Sequence, residues 1–252
     1  MLPDRADAKK DVLFLACRHH ILEIVLASVF KSSMGSSSSG PEITIFKRFK
    51  QSWKTIDQSQ FETVDSSETA RTSVIPNKQD IIEFSLNQLQ VFQPRGDYRE
   101  LLLLTIIFLG GKPPCGIKFA APGALHHARW MNKALYSIKL WMFRRQFSVT
   151  AREERGLLDV CLFVVLIYIQ FWFTAPCPVS APNNDLMLLK RLYEYKSVNP
   201  VISELACKKF ATHLWYLSEE VVGLAFFDSN VPTEEKRAMI KSLTEHNAVR
   251  NL

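Results

Sequence analysis

Apolar positions recur along most of this chain three and four residues apart, the spacing of a helix face, and one early stretch runs apolar without that period. That stretch, VLFLA at residues 12–16, predicts a short buried strand. Residues 17–31 (CRHHILEIVLASVFK) then place Ile21, Ile24, Val25 and Val29 on one face and predict a helix. A Ser/Gly run at 32–40 reads as a flexible connector. Residues 41–53 suit a short helix with Ile45, Phe49 and Trp53 on one side. Residues 55–77, rich in Ser, Thr, Asp and Gln, read as a long surface loop.

From Asp80 onward the pattern is almost wholly helical. Residues 80–92 carry Ile81, Phe84, Leu86 and Leu89, and residues 97–109 are apolar enough to be core, with Gly110-Gly111 and Pro113-Pro114 as the stop. Residues 124–147 predict a long amphipathic helix through Leu125, Ala128, Met131, Leu135, Ile138 and Met142. Thr150-Ala151-Arg152-Glu153 has the capping-box pattern. Asn199-Pro200 is a second start signal, Asn as cap and Pro in the first turn. Shorter helices are expected at 218–227 and 232–245.

The segment 157–175 (LLDVCLFVVLIYIQFWFTA) has about the length of a membrane span, with Asp159 its only charge. A helix buried on all sides of a helical domain looks the same. Asp159, Gln170 and the lack of a second such segment favour the buried helix, so a membrane is not the expected partner.

Composition narrows this picture little. Apolar residues make up 47% of the 252, which excludes a disordered chain, and the 9 glycines and 12 prolines are too few for a β-sandwich. The excess of 31 basic over 25 acidic residues gives +6, compatible with a polyanionic partner but not diagnostic of one. Five scattered cysteines without a CxxC pair fit reduced thiols, and the polar N-terminus carries no secretory pattern, so a nuclear or cytoplasmic setting is expected.

Three clusters bear on chemistry. Cys17 and His20 stand three apart at the strand-to-helix junction, two of the about four ligands that zinc requires. Residues 122–130 (PGALHHARW) put two histidines, Arg129 and Trp130 at a helix start, and Lys133, Arg144 and Arg145 extend a basic set that suits phosphate. HLWYLSEE at 213–220 ends in adjacent carboxylates, which a helix N-terminus favours in any case. No phosphate-binding glycine loop, GxSxG, HExxH or dinucleotide fingerprint occurs.

Taken in order, these segments resemble the C-terminal half of hAT-like DNA transposases, mobile-element enzymes of RNase-H-like fold, in an invertebrate lineage. FLACRHHILEIVL is similar to the family's C/D-x-x-H element, with Cys17 and His20 at the matching positions. Arg129-Trp130 resembles its RW element, and the flanks LGG…PPCGIKFAAPGALHHARWM and HLWYLSEEVVGLAFFDS extend the likeness over residues 11–240. The resemblance implies a mixed sheet interrupted by a large helical insertion, and three carboxylates holding two magnesium or manganese ions for strand transfer. Two of those acids would precede residue 17 on strands, where no match stands; the third falls on Glu220, or alternatively Glu219.

The expected protein is therefore mainly α: an RNase-H-like remnant of strand plus helix at 1–31, a flexible, partly helical connector at 32–79, and a helical insertion-type domain at 80–252. Its implied role is that of a transposase-derived, catalytically inactive chain with residual DNA binding, self-association or binding to another transposase chain. No cofactor or metal is expected in the chain itself. The rival is a membrane-associated or scaffolding helical protein organised around 157–175.

Overall fold

Thr150 sets the direction of the central helix. Its hydroxyl accepts from the Glu153 N–H at 3.2 Å while the Glu153 carboxylate accepts from the Thr150 N–H at 2.9 Å, closing the capping box read from the sequence. From there the chain is helical through Thr174, and 78% of its most apolar window is buried against neighbouring helices. By length and composition this helix could cross a membrane; here it is the core of a bundle. The computed structural model describes residues 17–35, 43–93, 95–123, 131–213 and 223–250.

Among the described residues the protein is mainly helical and has no strand. The strand expected at 12–16, and with it the RNase-H-like remnant, lies outside them. The helices are α1 (Arg18–Met34), α2 (Thr44–Ser52), α3 (Glu68–Val74), α4 (Lys78–Gln90), α5 (Gly96–Phe108), α6 (Asn132–Met142), α7 (Ala151–Phe163), α8 (Ile169–Thr174), α9 (Ala181–Glu194), α10 (Pro200–Ala211) and α11 (Thr233–Arg250). A π-helical stretch, Val164–Tyr168, joins α7 to α8 without a break. Such a wide turn carries one extra residue, so the side chains after it face roughly 100° away from where an uninterrupted α-helix would put them.

Burial follows from what each apolar face can reach. α1 packs on α7 and α10, α6 lies between α7 and α5, and α4 covers α5. The approach of α1 to α7 is close because residue 156 is glycine: a Cβ there would lie 2.5 Å from the Ser33 carbonyl oxygen. One contiguous core runs from Ile21 to Phe210 and takes side chains from all three sequence stretches, including Phe46 and Phe49 of the expected connector. Trp141, Trp172 and Tyr168 are its largest fully buried members. α11 stands apart, with no buried position among its described side chains and with Ile240 and Leu243 exposed.

Two helix ends follow their signals. Asn199 caps α10 by accepting from the Ile202 N–H at 3.1 Å, and its amide donates to Asp159 on α7 at 3.1 Å, so one residue both starts a helix and anchors it. Gly110, at φ 79°, closes α5, and the Gly111 N–H reaches back to the Ile106 carbonyl at 2.8 Å.

Two expectations need correction. Residues 55–77 are not a structureless loop: Ser67 caps α3, and Val64, Ala70 and Val74 are buried. Sparse apolar residues placed inward outweigh the polar composition. The described part of the long helix expected at 124–147 spans only Asn132–Met142. It stops because Arg144 turns back and donates to the Trp141 carbonyl at 2.8 Å, satisfying a free end group that another helical turn would have used.

Candidate functional site around the start of helix 1

Cys17 takes an extended conformation just before α1 and is exposed. The three residues that follow point in different directions, because successive helical residues turn by about 100°. His20 is exposed at the surface. Arg18 swings toward α9 and pairs with Asp185, its guanidinium lying 5.6 Å over the Phe210 ring of α10. Burial outweighs the attraction of Arg18 and pushes the Asp185 carboxyl up to about 6.

His19 faces inward. Its ring lies 4.2 Å from that of Trp172 and 5.9 Å from Tyr98, and Nε2 is 2.9 Å from the Trp172 carbonyl oxygen. A carbonyl only accepts, so His19 donates from Nε2 and keeps an acceptor at Nδ1 in the neutral ring. Burial lowers its pKa, with the carbonyl bond opposing in part.

Glu23 lies one turn further on the same side of α1 and is 7% exposed. The Tyr168 hydroxyl donates to its Oε1. Burial raises the carboxyl from an ordinary 4.5 to about 8, against the hydrogen bond from Tyr168 and the charge of Lys133, and with a small push from Asp97. At neutral pH Glu23 therefore holds its proton. Tyr168 is the last residue of the π stretch, and Trp172 follows one turn later; the wide turn aims both at α1. His19, Glu23, Tyr98, Tyr168 and Trp172 thus form one aromatic-walled polar cluster fed by α1, α5 and α8. Within it the hydrogen bond between two titratable side chains is that from Tyr168 to Glu23.

The described site residues read from the sequence do not form one cluster. Arg129, Trp130, Glu219 and Glu220 lie outside the described residues. Cys17 and His20 open α1, but the inward-facing side chain of the junction is His19. No group of three or more His, Cys, Asp and Glu able to hold a metal ion stands among the described residues. Lys133, half-buried near the start of α6, acts on Glu23. Arg145 is exposed past the other end of α6, with Nε 3.5 Å from Glu62.

Arg144 requires correction as a phosphate contact. Its side chain is 2% exposed, it pairs with Glu62 and with Glu154 at 2.8 Å, donates to Ser66 at 3.0 Å, and lies 3.7 Å over the Trp141 ring. A guanidinium enclosed this way presents no face to a phosphate. It ties residues 62–66 to the start of α7 instead.

Motifs alone pass over His19, Glu23, Tyr98 and Tyr168. One signal is available: Glu23 is the sole charge in the apolar run ILEIVL, although it stands opposite the face of Ile21, Ile24, Val25 and Val29. The π turn has no such signal. No protein-family model, curated protein or solved structure matches this chain.

Proposed function

We propose that this chain is a transposase-derived helical module that binds duplex DNA and does not cut it on its own. The observation that supports the reading is the contact between α1, which begins at the Cys17-x-x-His20 match, and α6, which follows the Arg129-Trp130 match in the sequence. Lys133 of the second lies close enough to act on Glu23 of the first. The net charge of +6 suits a polyanionic partner. Of the three acids the resemblance implies, these residues supply a position for one, at Glu220 or Glu219, so DNA binding is the activity assigned to them.

The test is a salt titration of binding to a labelled duplex, run beside a nicking assay with magnesium or manganese. Binding that falls linearly on a log–log plot against salt, with no nicking, is the expected result. Absence of binding at low ionic strength would sink the reading. The membrane alternative rests on the length and composition of Ala151–Thr174, whose most apolar window is 78% buried; carbonate-resistant pelleting with membranes is the observation that would restore it.

A further inference from the structure

A further basic cluster lies on α2 and the turn after it, which pack at the end of α6 through Trp53–Phe143 and Phe49–Phe147. Between residues 43 and 56 the chain carries Lys47, Arg48, Lys50 and Lys54 and no acid. Ile45, Phe46 and Phe49 fix the helix against the core, with Phe46 and Phe49 fully buried. Lys47 and Lys50 of α2 and Lys54 of the 3-10 turn Trp53–Thr55 that continues it follow at the i, i+3, i+7 spacing on the opposite side, and all three are exposed. They span roughly 10 Å along the axis, at about 1.5 Å per residue.

The neighbours extend this face. Phe30 packs on Phe46 at 5.4 Å and brings the end of α1, with exposed Lys31, beside α2. Arg48 pairs with Glu153 at 2.6 Å and so joins α2 to the start of α7, where exposed Arg152 lies against Gly35. Among the described residues the nearby acids are engaged. Glu153 is held by Arg48 and by its capping box, Glu154 by Arg144, and Asp57 by the N–H and hydroxyl of Ser59.

We infer that the exposed basic face of α2 and of the 3-10 turn that continues it, formed by Lys50 and Lys54 with Lys47 beside them and flanked by Lys31 and Arg152, is the surface that docks on the phosphate backbone of duplex DNA. The inference rests on the DNA-binding reading above and locates it. Duplex DNA carries one charge per about 1.7 Å of axis, so lysines spread over this length each meet a separate phosphate. Lysine is a point charge on a flexible stem, so the contact positions the duplex without reading its sequence. A bilayer fits less well. Helices that lie in a membrane surface bury an apolar face in it, and the apolar face of α2 is already used by the core.

The test compares three proteins in the salt titration: wild type, K50Q/K54Q, and K190Q/K196Q, which removes the same charge from exposed positions on and just after α9. The α2 variant should lower the log–log salt slope by about 2, at roughly 0.9 for each phosphate no longer neutralised, and weaken binding about tenfold or more at low salt. Its circular-dichroism melt should match wild type, because both side chains are exposed. The α9 variant should keep the wild-type slope. If wild type binds duplex and K50Q/K54Q retains the full slope, the docking face is overturned while the DNA-binding reading stands. Equal reductions in both variants also overturn it, by showing diffuse charge attraction. If wild type binds no duplex, both fall, and binding to phosphatidylserine vesicles in its place would assign the lysines to a membrane surface.

Discussion

The Tyr168 hydroxyl donates to the Glu23 carboxyl across the contact between α1 and the π turn that leads into α8. This places a titratable acid inside the core, where water cannot stabilise its charge. Burial dominates, and Glu23 keeps its proton up to about pH 8.

Stability should therefore depend on pH through Glu23. A carboxyl whose folded pKa is raised contributes stability fully present below its unfolded value near 4.5 and lost as pH rises through about 8. His19, with a lowered pKa, works in the other sense: its contribution is present above its ordinary 6.5 and lost as pH falls. Between pH 6.5 and 8 Glu23 dominates this pair. E23Q, which cannot ionise, should melt progressively higher relative to wild type across that window, by an amount reaching a few kcal/mol. A constant difference would show that Glu23 ionises as an ordinary surface acid.

Y168F removes the hydroxyl and leaves the ring in its packing. The loss should be about 1–2 kcal/mol by chemical denaturation, the cost of an unmade buried hydrogen bond. Adding Y168F to E23A, which removes the acceptor, should cost less than it does in wild type, if hydroxyl and carboxyl act as a pair.

Arg144 is a structural residue. R144M should destabilise by about 2–4 kcal/mol, because it strands Glu154, leaves Glu62 with Arg145 alone and frees the Trp141 carbonyl. Under conditions where the variant is folded, its salt slope for duplex DNA should equal wild type. A slope reduced by about 1 would return Arg144 to the phosphate contacts.

Gly156 sets the distance between α1 and α7. G156A would put a methyl group 2.5 Å from the Ser33 carbonyl and 2.8 Å from the Met34 sulfur. The first of these is backbone and cannot rotate away, so the helices must separate. A loss of about 2–3 kcal/mol is expected, and an unchanged melting temperature would show that the two helices have room for a methyl group.

The elements that are legible before folding depend on neighbours in the chain. The capping box at Thr150, the Asn199 cap, the Gly110 stop and the apolar period of α1 each arise from side chains and backbone groups within a few residues of one another. Local chemistry is enough for them. Residues 55–77 resist such a reading because burying Val64, Ala70 and Val74 depends on surfaces supplied by distant helices. Arg144 resists it for the same reason: its charge is visible in the sequence, whereas Glu62, Ser66 and Glu154 converge on it only in three dimensions.

The candidate site divides along the same line. That Glu23 interrupts an apolar run is plain from ILEIVL, and the basic, acid-free stretch at 43–56 is equally plain. Side-chain type and helical period carry that much. That Glu23 meets Tyr168 and His19 meets Trp172 depends on one extra residue in the helical turn at Val164–Tyr168, and on the packing that holds it. Periodicity encodes neither. Which of the basic clusters faces outward was settled likewise by the core, which drew in Phe46 and Phe49 and left the lysines of α2 in water while it enclosed Arg144.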